Sequence, residues 1–299
     1  MTYDQMTHGQ TSESHTTKGQ TSPARIHRAV SDDGVEIAGR IYGQGPPVVL
    51  VHGAAADGES EWGQLLPLLT ERFTCYVPSA RGRGLSGAHP EHSRDANVRD
   101  ITAFVDSIGE PVALVGVSSG GMTALGVAAR SAAVSALMVR EPVVFEVLGG
   151  SEAATYADLV EFVGQELEQD RVASAAEAFL RFVSNDEEFA VLSEDDEGLD
   201  QLAEYLPLDE QEFREALAFD GPSPTDPATL RRITAPTLVL HGPQTGRSWF
   251  TDSVRFVAEH VPNAVVHEIP DTGHLGHLVA PARDAQVLVP LLEGALQPM

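Results

Sequence analysis

The stretch Gly116-Val117-Ser118-Ser119-Gly120-Gly121 places a serine in a GxSxG string, after an apolar run at 111–115 and before a helix-prone stretch at 122–130. A strand-to-helix bend strains the backbone at its centre and lifts the central hydroxyl clear of the fold, as a nucleophile requires. Glycines are needed on both sides because the chain passes too close to itself there for a β-carbon. The bland alternative is a structural serine. A serine hydroxyl is a poor nucleophile at neutral pH and needs an imidazole to take its proton. His274 is the expected base, because it directly follows a turn glycine in Ile269-Pro270-Asp271-Thr272-Gly273-His274, between a strand-like run and the final helical stretch at 283–296. His277 is its rival, while His241 and His267 fall in strand-like runs and read as core or surface residues.

The elements that must hold these groups are legible as a pattern. Two β-prone segments, 26–30 and 35–41, flank Ser31-Asp32-Asp33-Gly34, whose Asp-Gly step favours a tight hairpin turn. Short apolar runs at 47–51, 74–78, 111–117, 134–139, 236–241 and 264–269 then alternate with helical stretches. Runs without polar alternation predict strands covered on both faces, so the expected fold is α/β, a doubly wound, mostly parallel sheet with an antiparallel start. Between 143 and 226 no strand is expected but several helical stretches are, for example 156–168, 173–183 and 210–219, which read as a cap, or lid. Its aromatic residues, among them Phe145, Tyr156, Phe179, Phe182, Phe213 and Phe219, either line an apolar pocket or pack the cap onto the sheet. The expected division is a disordered leader at 1–23, a core at 24–142 and 227–299, and the cap at 143–226.

Composition narrows the partners. The chain has 299 residues and a net charge of −25, with Lys18 its only lysine. Nucleic acid is disfavoured, since binding it rests on neutralising phosphates with Lys and Arg. No apolar stretch has the length of a bilayer span and the polar start lacks a signal-peptide core, so a cytoplasmic protein with no membrane partner is expected. The single cysteine, Cys75, reads as a buried inert thiol. No metal-ligand spacing and no nucleotide fingerprint opening a helix appear, so neither cofactor nor metal is expected.

Ser118 in its bend, His52-Gly53 after a strand and the late Gly273-His274 resemble the serine-nucleophile branch of the α/β-hydrolase superfamily, from about residue 24 to the end. Val49-Leu50-Val51-His52-Gly53-Ala54 is similar to that family's oxyanion loop, and Arg81-Gly82-Arg83-Gly84-Leu85-Ser86-Gly87 to its RGxGxS turn. The resemblance implies that the backbone N–H groups of Ala54 and Ser119 form an oxyanion hole, with His52 structural behind it. Two departures stand out. Ser79 replaces the aspartate often found before the RGxGxS turn, and Thr245 occupies the place where many relatives carry the triad aspartate. A hydroxyl cannot stabilise imidazolium. A subset of the family has a Glu-Pro step after the strand that follows the nucleophile helix, and Glu141-Pro142 matches it, so Glu141 is the expected acid. Asp252 and Asp271 remain alternatives, and an ion pair of Glu141 with Arg140 or a cap for the lid helix is the structural one.

These readings predict a hydrolase acting on a small-molecule carboxylic ester or related acyl compound of small to medium apolar character. Ser118 would attack, His274 shuttle the proton and Glu141 orient the imidazole, over an oxyanion hole of Ala54 and Ser119. A carbon–carbon bond or lactone hydrolase with the same serine and histidine, and a non-catalytic binder, are the rival readings. Monomer and homodimer are equally open.

Overall fold

The computed structural model describes residues 25–218 and 223–296; the expected leader and Phe219 lie outside them. Eight strands form one sheet: β1 (Arg25–Val30), β2 (Glu36–Gly43), β3 (Pro47–Val51), β4 (Thr74–Pro78), β5 (Val112–Val117), β6 (Val134–Arg140), β7 (Thr237–His241) and β8 (Ala264–Glu268). Their spatial order is β1-β2-β4-β3-β5-β6-β7-β8. The β1–β2 and β2–β4 pairs are antiparallel and every later pair is parallel. Chain order reverses where β3 lies between β4 and β5, and a crevice opens beyond the carboxyl ends of strands at such a switch. The registers Val51↔Gly116, Val117↔Arg140, Arg140↔Leu240 and His241↔Glu268 bring those ends level, so the loops after β3, β5, β6, β7 and β8 converge.

Helices cover both faces, which is why the central strands are apolar throughout. Phe104, Ile101, Leu125, Val254 and Val257 close one side, and Trp62, Leu65, Leu69, Leu288 and Leu292 the other. Cys75 is buried within the second layer, and burial pushes its thiol up to about 12. β8 departs from the expectation of double coverage: it is the sheet edge, and Val265 and Val266 are exposed. An apolar run reports strand propensity, not whether a neighbour lies beyond it.

The hairpin forms as read, with Ser31 N–H donating to the Val35 carbonyl and Gly34 at φ +90°. In the RGxGxS turn, buried Arg81 makes a two-point ion pair with Asp100 at 2.8 and 2.7 Å and a third contact with Asp33. Ser79, in the aspartate's place, accepts the Gly58 N–H through Oγ at 3.2 Å and the Ser86 hydroxyl through its carbonyl. Loop anchoring therefore survives the exchange.

Between β6 and β7 the chain forms four longer helices, Gly150–Glu168, Val172–Val183, Asp186–Leu192 and Asp196–Ala218. The third was not legible in advance, although Asn185 and Glu188 build a reciprocal capping box at its start. Tyr156, Val160, Phe179, Phe182 and Leu206 from this insertion pack with Trp249 and Phe250 of the core. Among the described residues no helix is long and apolar enough to cross a membrane.

Candidate active site

Ser118 directly follows β5 and opens the helix Ser118–Ala128, with φ at +54°, the strained left-handed value expected of the bend. The flanking glycines are sterically required: a β-carbon on Gly116 would sit 2.5 Å from the Gly120 carbonyl oxygen, and one on Gly120 would sit 2.2 Å from that of His52. The helix start has no side-chain cap, so its first amides, that of Ser119 among them, point to an open end.

The loop after β3 lies beside it. Gly53 N–H donates to Glu61 Oε2 at 2.7 Å and Ala55 N–H to Asp209 Oδ2 at 2.7 Å. The Ala54 N–H between them makes no hydrogen bond among the described residues. Two carboxylates thus pin the amides on either side and leave the middle donor for something else. His52 accepts the Ala80 N–H on Nε2 at 2.9 Å, which puts its proton on Nδ1, against the Gly53 carbonyl at 2.7 Å. Burial foremost, and the charge of Arg83, lower its pKa. A neutral imidazole with both nitrogens engaged is a strut, as expected.

His274 is buried, with Nδ1 2.8 Å from Glu141 Oε2. Its ring lies flat on Phe250, centroids 3.7 Å apart and planes 10° from parallel, so rotation is blocked on that face. Glu141, at φ +38°, is fully buried at the end of β6. Its other oxygen lies 2.9 Å from His241 Nδ1 and accepts the Gly242 N–H at 2.8 Å. Burial opposes its ionisation, but the hydrogen bonds to His241 and His274 and the charges of His274 and Arg140 prevail, and the carboxyl is held at about 2. Ionised carboxylates only accept, so each ring carries its proton on Nδ1. His274 Nε2 is left without a hydrogen-bond partner among the described residues.

Of the alternative acids, Asp252 pairs with Arg255 at 3.1 Å and Asp271 with Arg283 at 3.4 Å. Both are surface contacts away from the imidazole. The Arg140 alternative is displaced too: its guanidinium spans both oxygens of Asp284 at 3.0 and 2.9 Å. Thr245 Oγ1 is buried and unpartnered among the described residues. His241, read as core or surface from its strand position, is buried, and it is also the second imidazole on Glu141.

His277, the rival base, is buried with Nε2 2.5 Å from Glu61 Oε1, the carboxylate that also accepts Gly53 N–H. Burial works against the Glu61 charge, yet the His277 and Gly53 contacts keep its carboxyl below the ordinary range. Glu61 thereby ties the loop after β3 to the segment after His274. Removing it with Glu61→Ala should orphan the Gly53 amide and let Ala54 drift. We expect kcat to fall on the order of 10²-fold with KM little changed, since small misplacements cost that much. Steady-state kinetics beside a thermal melt would check it; an unaltered kcat in a folded variant would refute the positioning role.

The insertion also grips these loops. Glu188 accepts the N–H groups of Gly273 and Leu275, on either side of His274, at 3.1 and 3.0 Å. Asp209, besides holding Ala55, pairs with buried Arg83 at 2.5 Å. Ser118 and His274 both border a cavity of about 640 Å³ between insertion and core. Elsewhere, Asp33, His89 and Glu91 bring ligand-type atoms within 4.8 Å of one another. Arg81 already sits among them, donating to Asp33 at 2.8 Å and lying 3.3 Å from His89 Nδ1.

A doubly wound sheet whose strand ends gather a bent serine, a buried histidine and a carboxylate defines a class of fold and site. The sequence profile of the alpha/beta hydrolase family matches residues 48–287, and the chain belongs to that family. Over 230 residues it is 25% identical to a 2-hydroxy-6-oxo-6-(2'-aminophenyl)hexa-2,4-dienoic acid hydrolase of Metapseudomonas resinovorans, covering 75% of this chain and 76% of that protein. It is 36% identical over 94 residues to a pyrrolizixenacetamide deacetylase of Xenorhabdus hominickii, covering 30% of this chain and 34% of that one. An alpha/beta hydrolase of Sphaerobacter thermophilus superposes with a TM-score of 0.68 at 29% identity, covering 88% of this chain and 99% of that structure.

Proposed function

We propose that the protein is a serine hydrolase that cleaves a carboxylic ester, or a related acyl compound of small to medium apolar character, through an acyl-enzyme. Ser118 Oγ adds to the carbonyl carbon while its proton passes to His274 Nε2. The carbonyl oxygen, now negative, accepts hydrogen bonds from the Ala54 and Ser119 amides, donors fixed in advance where charge develops. Glu141 stabilises the imidazolium without taking its proton. Collapse expels the alcohol or amine, which takes the proton from Nε2. Water then attacks the acyl carbon, giving one proton to His274, which returns it to Ser118 Oγ as the acid leaves.

The observation that carries this reading is the His274–Glu141 contact at 2.8 Å beside a serine strained to φ +54°, both histidine and serine bordering one cavity. The decisive experiment is labelling with a fluorophosphonate followed by peptide mass spectrometry. A stoichiometric adduct on Ser118, lost in Ser118→Ala, is expected. Absence of an adduct on the folded protein would favour a binder without turnover.

Carbon–carbon bond hydrolysis is the second reading, favoured by the likeness to the dienoic acid hydrolase over most of both chains. Against it, no Lys or Arg among the described residues lines the 640 Å³ cavity, and Arg94, which borders a smaller space beside Ser118, lies within the fields of Glu146, Glu212 and Glu215. Product analysis separates the two: an acid and an alcohol from an ester, or two carbon fragments from a diketone.

A further inference from the structure

We propose that Ser118 stands where two compartments of very unequal size meet, and that this division selects short-chain acyl derivatives of bulky alcohols or amines. The inference rests on the serine-hydrolase reading above and adds the substrate class. Besides the cavity of about 640 Å³, Ser118 borders a second space of about 50 Å³. Ala54, Phe179 and Val183 border both, so the two spaces adjoin at the same serine.

The chemistry assigns the sides. His274 must hand its proton to the departing oxygen or nitrogen, so the leaving group lies on the histidine's side. His274 borders the large cavity and not the small one, and Phe250, a wall of the small one, covers one face of the imidazole. The residues of the proposed oxyanion hole, Ala54 and Ser119, both border the small space. With the carbonyl oxygen on those amides and the leaving group toward His274, the remaining substituent of the carbonyl carbon, the acyl chain, points into the small compartment.

Its walls state what that chain is. Met122, Tyr156, Phe179, Phe213 and Trp249 make it apolar, with Phe179 and Phe213 stacked at 5.6 Å between centroids. Arg94 and Glu212 also border it, the guanidinium lying 5.1 Å over the Phe145 ring within the fields of Glu146, Glu212 and Glu215. Glu146 and Glu215 oppose the Arg94 charge, while burial and the Asp209 charge push the Glu212 carboxyl up to about 7, so the mostly apolar walls favour an uncharged chain. Since a water-sized group needs ~10–15 Å³, a space of about 50 Å³ admits an acyl tail of roughly two to four carbons. The large cavity falls in the range that holds a whole drug-sized ligand, ~300–1,000 Å³, and it receives the alcohol or amine.

The test is a series of 1-naphthyl esters, from acetate through butyrate and hexanoate to octanoate, with methyl 1-naphthoate as the reversed substrate. We expect kcat/KM to be highest at acetate to butyrate and to fall by about 100-fold or more at octanoate, with the reversed ester equally poor. Two variants of opposite sense guard against misfolding. Phe213→Ala, which enlarges the compartment, should raise the hexanoate-to-acetate ratio about tenfold, and Ala216→Phe, which fills it, should lower the butyrate-to-acetate ratio by a similar factor. Octanoate or methyl naphthoate as the preferred substrate, or both variants leaving the ratios unmoved or shifting them in one direction, would overturn the assignment while the hydrolase reading stands. Failure of every ester together with no fluorophosphonate adduct on Ser118 would sink both.

Discussion

Glu141→Gln is expected to reduce kcat by about 10⁴-fold in a protein that still folds, the loss seen when a triad carboxylate becomes an amide. The reason is local. One carboxylate serves His274 through Oε2 and His241 with the Gly242 amide through Oε1. A glutamine offers one acceptor and one donor in their place. Keeping the Gly242 N–H on its oxygen turns the amide nitrogen toward His274, which then accepts on Nδ1 and carries its proton on Nε2, facing a serine that needs a base. The charge that steadies imidazolium is lost as well. Acid titration gives a second check with a definite sign. Because the folded carboxyl sits at about 2, below its ordinary 4.5, its contribution to stability is complete above the ordinary value and is lost as pH falls toward 2. Glu141 therefore sets no limb of a pH–rate profile near neutrality, and Glu141→Gln should remove part of the stability difference between pH 5 and pH 2. Near-wild-type turnover in the variant, or an unchanged acid-denaturation curve, would remove Glu141 from the triad.

How much of this was legible depended on whether the information was contiguous in the chain. The strands were, because burial on both faces writes itself as an unbroken apolar run, as in β3 and β5. The bend at Ser118 was, because close backbone approaches demand glycine at fixed offsets. Glu141 was reachable only through its proline neighbour, since at φ +38° it sits at a strand end that no periodicity marks. Single side chains that meet distant partners were not legible: Glu61 and His277 are 216 positions apart, Asp209 and Ala55 154 apart, and Glu188 and Gly273 85 apart. Each reads in the sequence as one more acid in a chain of net charge −25. Only the fold makes these three acids acceptors for the loop amides of Gly53, Ala55, Gly273 and Leu275. For the same reason nothing in the sequence showed that the cap grips the site, where Glu188 and Asp209 hold the histidine loop and the loop after β3.

The counterpart from below is Arg140, and its loss should be the most destabilising of the substitutions considered. Its guanidinium is buried, clasps both oxygens of Asp284, and donates to the Gly273 carbonyl at 2.6 Å, Thr272 Oγ1 at 3.1 Å and the His274 carbonyl at 3.3 Å. Arg140→Met keeps the volume but leaves Asp284 a buried charge without its partner, a change that costs about 3–5 kcal/mol. Burial and the nearby Glu141 charge already press the Asp284 carboxyl upward against the pull of Arg140 and His277, so in the variant it should take up a proton more readily and the penalty should shrink as pH is lowered. Adding Asp284→Leu removes the orphaned acid, and because buried ion pairs are worth little against apolar replacements, the double variant should regain most of the stability in a denaturant titration. Activity should not return with it. The Gly273 and His274 carbonyls would still lack the guanidinium, and a histidine loop without that clasp would present Nε2 to Ser118 less often. A double variant that recovered both stability and kcat would mean that Arg140 merely fills space beneath the site; recovery of stability alone would establish that it positions the base.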